Sequence, residues 1–247
     1  MTWRADPGFL RHALIVVAGH YYWLLPLAPL LWLIFHGIRI YVDPANAIAA
    51  SSVQGQLIGV PLTALAVFLG IRIIAGEIED RSLEIAYTVP GGCERLWFAK
   101  LTAAFLLLLV SEALLALMVM FFFTPFPPGT LYGAMQAACF YMILAMALGA
   151  LFRGEASGAI ATVVVLALNG FITDFGNNQL RFTPFFNPWL LADASNFGNT
   201  RQGGFTSPAE LLAWTIQNRI GMLLLMAAML ALAFLRSNRR ERMLDGL

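Results

Sequence analysis

The segment Glu77–Lys100, EIEDRSLEIAYTVPGGCERLWFAK, is the one long polar interruption in the first half of an otherwise apolar sequence. Three of its first four residues are acidic, which favours a helix N-terminus at that point. Pro90-Gly91-Gly92 then ends the helix, because proline has no N–H for the hydrogen-bond ladder and glycine tolerates a turn. The segment therefore predicts a short helix and a sharp break at one membrane face, before a new apolar helix opens at Arg95.

The composition around this segment is that of a membrane protein. Hydrophobic residues make up 60% of the chain and charged residues 12%, with a mean hydropathy of +0.75. These values exclude an ordinary soluble domain, and the net charge of +1 gives no support to nucleic-acid binding. Cys93 lies in the polar segment and Cys139 in an apolar run, so neither a disulfide nor a metal site is predicted.

The apolar runs predict an all-α polytopic fold, a single transmembrane domain of residues 1–247 with six spans. Pro26 and Pro29 predict a kink in the first span. Gly55 and Gly59, four residues apart, would permit a close helix approach in the second span. The predicted spans cover residues 21–41, 54–75, 97–123, 131–152, 158–173 and a last run from Leu211 or Ile220 to Leu235.

The segments outside the spans also carry predictions. Residues 8–20 are amphipathic and predict an interfacial helix. Residues 174–208 alternate aromatic and turn residues without a spanning run, which predicts short re-entrant or interfacial helices. Residues 236–247 form a basic tail. Six spans place both termini on one side, and eleven of the 15 Lys and Arg residues lie there, so the positive-inside rule makes that side cytoplasmic.

The polar segment resembles the first cytoplasmic loop of type-2 ATP-binding-cassette (ABC) exporter permeases. The resemblance rests on an acidic pair, on Ser82-Leu83-Glu84, on the Thr88-Val89-Pro90 break and on the return to the membrane at Arg95–Lys100, although the family has glycine and threonine where this chain has Arg81-Ser82. In that family the loop (here residues 77–95) holds the coupling helix, which sits in a groove of a separate ATPase subunit. The resemblance assigns ATPase coupling to Glu77, Glu79, Asp80, Arg81, Ser82, Leu83, Glu84, Tyr87 and Pro90.

The resemblance also implies the partners. The sequence has no GxxxxGK[ST] phosphate-binding loop, so ATP and Mg are expected on the partner, a cytoplasmic ABC ATPase present in two copies, and no cofactor on this chain. A pathway of this type is lined by two copies of six spans, which implies a second permease copy, identical or similar, in the cytoplasmic (inner) membrane. The apolar spans favour an amphiphilic, lipid-linked or peptide substrate, and membrane lipid is the remaining partner.

Two candidates for the translocation pathway lie inside the spans, Glu112 and Asn169. Glu112 falls near mid-membrane, where a carboxylate is expensive. It could contact a cationic substrate group or a proton, or it could be structural, hydrogen-bonded to Ser111, Asn169 or Gln136.

Two other functions compete with export. An intramembrane hydrolase would need a nucleophile with a base, or a metal motif such as HExxH, and the sequence offers neither. A scaffold that anchors a cytoplasmic partner would use the same polar loop and stays open. Residues 174–208 favour a gated pathway, since a simple anchor has no need of them.

Overall fold

The computed structural model describes residues 7–80, 93–173, 180–196 and 208–237, and all regular structure within these ranges is helical. Six helices are long and apolar enough to cross a membrane, which indicates a multi-pass membrane protein and confirms the predicted number of spans. Two further helices are Pro7–Ala18 and Pro188–Asn196. Spans 1 to 6 are Leu25–Val42, Ala50–Glu79, Cys93–Phe122, Gly129–Phe152, Glu155–Ile172 and Pro208–Ser237.

Span 1 is broken more strongly than a simple kink. Leu25–Leu27 forms one 3-10 turn, and the α-helix proper runs only from Leu30 to Val42. Pro26 lies in the 3-10 turn, and Pro29 lies just before the α-helix. Each proline lacks the N–H group that a helix uses for its hydrogen-bond ladder. The span ends at Val42, and Oδ1 of the following residue, Asp43, accepts the N–H of Ala45 at 3.1 Å and so opens the next turn.

Span 2 is longer than predicted at both ends. It begins with a 3-10 turn and a π-helix at Gln54–Gly59, and its α-helix runs from Val60 to Glu79 without interruption. The prediction that a separate helix begins at Glu77 is therefore wrong. The acidic residues lie on the last turn of the span, where groups from spans 3 and 5 offset the charge that would otherwise be unfavourable at a helix C-terminus.

Spans 2 and 4 form the core of the bundle. In the apolar stretch of span 2, 72% of the residues are buried, and in that of span 4, 56% are buried. The corresponding share in span 5 is 11%. The two helices touch through their backbones, because a Cβ on Gly70 would collide with the carbonyl group of Met142 and lie 3.0 Å from its Cα. Only a glycine allows this approach.

A second glycine contact joins spans 4 and 5. A Cβ on Gly158 would lie 2.7 Å from the Cα of Gly149, so these helices also meet without side chains between them. The predicted approach at Gly55 is wrong, since a Cβ there would have nothing within 4 Å. Gly59 packs on the carbonyl of Gln54 in the π-helix of its own span.

The bundle has two ends, named here by the polar segment. The loop end is where span 2 finishes and span 3 begins; the opposite end is where spans 2 and 4 begin. The Pro7–Ala18 helix lies at the loop end, where Ala13 packs with Ala99 and Ala103 of span 3. The interfacial placement of residues 8–20 and the re-entry of residues 174–208 stay predictions; residues 174–179, 197–207 and 238–247 lie outside the described ranges.

Candidate functional site

A buried ion pair joins the two helices that flank the polar loop. Lys100 of span 3 donates from Nζ to Oε1 of Glu77 in span 2, and the same nitrogen lies 3.4 Å from the carbonyl oxygen of Ile73. Lys100 is 1% exposed and Glu77 7% exposed. In such surroundings a lone charge is costly, so each of the two residues depends on the other.

A second contact joins span 2 to span 5. Oε1 of Glu79 accepts the N–H of Glu155 at 2.7 Å, at the first residue of span 5. Gly154, in the N-cap position, has no side chain to satisfy that donor, so Glu79 supplies the cap from a neighbouring helix. The Glu155 carboxylate in turn lies 3.7 Å from Nε of Arg72, with both side chains about one third exposed.

These contacts form what we call the loop-end cluster: Arg72, Glu77, Glu79, Lys100 and Glu155. The cluster ties spans 2, 3 and 5 together at the loop end of the bundle. Asp80 is exposed and forms the C-cap of span 2. The other residues with predicted ATPase-coupling roles lie in the segment 81–92, outside the described residues: Arg81, Ser82, Leu83, Glu84, Tyr87 and Pro90.

At the opposite end a polar network holds residues 180–187 against spans 4, 5 and 6. Its centre is Asn218 of span 6, which is fully buried and donates to the carbonyl oxygens of Arg181 at 2.8 Å and Thr183 at 3.0 Å. Gln136 of span 4 donates to Oδ1 of Asn218 at 3.0 Å and accepts from Arg219 at 2.9 Å. The network lets strongly polar groups remain inside an apolar bundle.

Residues on spans 2 and 5 complete this attachment. Gln54 donates to the carbonyl oxygen of Phe186 at 2.8 Å, and Asn187 donates to that of Ser51 at 2.7 Å. Thr183 donates to Oδ1 of Asn169 in span 5 at 3.1 Å. The residues 180–187 are therefore fastened directly to spans 2, 5 and 6, and Gln136 of span 4 joins the network through Asn218.

The two predicted pathway residues face different neighbours. Asn169 belongs to the opposite-end network, whereas Glu112 is 7% exposed and makes a hydrogen bond to the backbone of Met135 in span 4. Oε1 of Glu112 has no hydrogen-bond partner. The partners predicted for it are engaged elsewhere: Ser111 donates to the carbonyl oxygen of Pro26 at 3.1 Å, Asn169 accepts from Thr183, and Gln136 bonds to Asn218 and Arg219.

Replacing Glu112 by leucine is expected to leave the thermal midpoint of the purified chain unchanged or to raise it. The reason is that the variant removes a buried oxygen, Oε1, that has no partner, and this gain offsets the loss of the hydrogen bond to the backbone of Met135. The neighbouring variant Ser111→Ala is the control, and it should lower stability by about 1 kcal/mol because it breaks a made hydrogen bond. A large loss of stability in Glu112→Leu, matched by Glu112→Gln, would contradict this expectation; a loss of transport alone would assign Glu112 to the pathway.

Among the residues that the structure describes, no group of three His, Cys, Asp or Glu side chains is placed to hold a metal ion. Comparison of the chain with protein-family models, with curated proteins and with solved structures finds no match. The arrangement is one of structural contacts at the two ends of a bundle.

Sequence reasoning did not predict most of the contacts in the loop-end cluster and the opposite-end network, although the residue types indicated which side chains need a partner. Polar and ionisable residues inside apolar spans are expensive and are therefore functional candidates. That rule would have selected Lys100, Gln54, Gln136 and Asn218 together with Glu112. It would not have paired them, because the partners lie on other helices.

Proposed function

We propose that this chain is the permease subunit of an ABC exporter in the cytoplasmic membrane, with both termini cytoplasmic. Two such chains, identical or similar, would form the pathway, and two separate ATPase subunits would dock on the loops at residues 77–95. Closure of the ATPases on ATP would then displace the loops and switch the spans between inward-open and outward-open packing. The cargo would be an amphiphile, a lipid-linked molecule or a hydrophobic peptide.

The observation that carries the proposal is the loop-end cluster. Both ends of the polar loop are anchored, since Glu77 and Lys100 join spans 2 and 3 at its base. The bond from the N–H of Glu155 to Glu79 adds span 5 to the same unit. A push on the loop would therefore reach three of the six spans, which is what a coupling site requires.

The opposite end favours transport over simple anchoring. Spans 2, 5 and 6 hold residues 180–187 there through side-chain hydrogen bonds, and Gln136 of span 4 supports Asn218 of span 6; a scaffold has no need of this arrangement. Hydrogen bonds between elements can be exchanged for others when helices shift, so this closure is suited to a gate. In this proposal, residues 180–187 are the outer gate of the pathway.

The test is purification of the full chain in mild detergent from its native membrane, followed by mass spectrometry of what is retained. A stoichiometric ABC ATPase is the expected result. Recovery of the chain alone, or with a protein that is not an ATPase, would overturn the proposal and favour the scaffold function. Lipid or peptide recovered with the complete complex would indicate the cargo class.

Glu84→Lys is expected to lower ATPase stimulation by the permease about tenfold in the reconstituted complex. A reversed charge at a docking contact replaces attraction with repulsion across the interface. Glu84→Asp keeps the charge and is the matched control. Both variants should insert and purify as the unmodified chain does; full stimulation in Glu84→Lys would show that this loop is not the coupling site.

A further inference from the structure

A groove at the opposite end of the bundle lies between spans 1 and 3 and opens toward the outside of the bundle. Its volume is about 600 Å³ and its walls are apolar, formed by side chains such as Leu30, Ile34, Met118 and Phe122. The neighbouring side chains of span 1 are strongly exposed, with Leu31 at 69% and Ile38 at 59%. In a membrane such a surface faces acyl chains, so the groove is open to lipid.

The groove continues into a second cavity of different character. This cavity has a volume of about 450 Å³ and is lined by His36, Arg39, Ser52 and Gln56. The two share the residues Ile40, Ala47 and Ile48. The two cavities adjoin at these residues and together form a depression with a long apolar part and a polar part with a cation, which matches the division of an amphiphile into tail and headgroup.

The position along span 1 fits the boundary between acyl chains and headgroups. The helix ends at Val42, and the chain then makes a polar turn at Asp43–Asn46. Arg39 lies one turn before that end, where a long basic side chain can reach the headgroup level.

Gly37 gives the apolar groove its width. It lines the groove, and a Cβ built on it would meet only the Cζ atom of Phe123, at 3.8 Å. This distance is ordinary van der Waals contact, unlike the collisions at Gly70 and Gly158. A larger side chain at position 37 can therefore enter the groove without moving the backbone.

The polar part is also built. The ring of His36 is 8% exposed and stacks on Trp32 with centroids 4.7 Å apart. Its Nδ1 donates to the carbonyl oxygen of Trp32 at 3.2 Å, since a carbonyl can only accept. Trp32 is itself fixed by a bond from Nε1 to the carbonyl oxygen of Gln56 at 2.7 Å. The groups around Arg39 are thus held in place by spans 1 and 2 together.

We propose that this depression binds one anionic phospholipid of the surrounding bilayer, with an acyl chain in the groove beside Gly37 and the phosphate at Arg39. The lipid belongs to the leaflet at the opposite end of the bundle. The apolar walls select a lipid over a soluble phosphate, and the cation selects an anionic headgroup over a zwitterionic one. This binding does not depend on the exporter function.

The test is native mass spectrometry of the purified full chain, titrated with phosphatidylglycerol and with phosphatidylcholine that carries the same acyl chains. We expect one phosphatidylglycerol to be retained about fivefold more tightly than phosphatidylcholine. Arg39→Gln should abolish this preference, and Arg39→Lys should keep it. Equal retention of the two lipids by the unmodified chain would overturn the proposal.

Filling the groove tests the position of the acyl chain. Gly37→Phe should lose the retained lipid, whereas the adjacent variant Ile38→Phe adds the same ring on the exposed face and should retain it. Met118→Phe fills the groove from span 3 and answers the question if Gly37→Phe does not fold. Lipid retention in both filled variants would overturn the proposal. A change only in the number of protein chains per particle, from two to one, would also overturn it, because it would show that a second copy of this chain covers the groove.

Discussion

Gly70→Ala is expected to lower the free energy of unfolding by about 3 kcal/mol or more, although it adds a single methyl group. That methyl group would lie 2.9 Å from the carbonyl carbon of Met142 and 3.0 Å from its Cα, and it would collide with the carbonyl oxygen. These atoms are backbone and cannot rotate away. Spans 2 and 4 would have to separate, and they form the core. Unfolding in mixed micelles with increasing denaturing detergent measures the change.

The matched control is Gly55→Ala, which adds the same methyl group to the same span. Nothing lies within 4 Å of a Cβ at that position, so its stability should match that of the unmodified chain. Equal behaviour of the two variants would show that the backbone contact at Gly70 does not exist.

Lys100→Met is expected to lower the free energy of unfolding by about 3–5 kcal/mol, because it leaves the Glu77 carboxylate buried without its main cation. The double variant Glu77→Met with Lys100→Met removes both charges and should recover most of the loss. The same detergent titration measures all three proteins. The size of the expected loss depends on the burial of Lys100, which is only 1% exposed.

Arg72→Met is the control for this second experiment. It breaks the ion pair with Glu155, which is 3.7 Å long and about one third exposed, so the loss should stay below about 1 kcal/mol. A loss in Lys100→Met no larger than that of Arg72→Met would show that the Glu77–Lys100 pair does not fasten spans 2 and 3. In the proposed exporter, Lys100→Met should also uncouple ATP hydrolysis from transport.

The number and order of the spans could be predicted from the sequence, because hydropathy over about 20 residues is a property of the local chain. The break in span 1 was also predictable, since Pro26 and Pro29 act through their own missing N–H groups. The end of span 2 was not. Acidic residues at Glu77 and Glu79 suggested a helix start, but their partners Lys100 and Glu155 come from other helices.

The role of each glycine illustrates the same limit. Gly55 and Gly59 have the spacing of a helix contact, whereas the backbone contacts occur at Gly70, Gly149 and Gly158. A glycine permits close approach wherever it lies, and the face that packs is decided by the whole bundle. The two polar clusters follow the same rule, because sequence identifies their expensive residues but not the pairing between them.

The glycine contact between spans 4 and 5 has a mechanical consequence. Span 5 touches span 4 at Gly158, near its loop end, and in the rest of the helix only Thr162 is also buried. At 1.5 Å per residue the contact lies about 4.5 Å from Glu155 and about 21 Å from Ile172. A rigid rotation of span 5 about this fulcrum would move its far end about five times as far as the end that Glu79 holds, and so would stretch the hydrogen bond that Asn169 accepts there from Thr183.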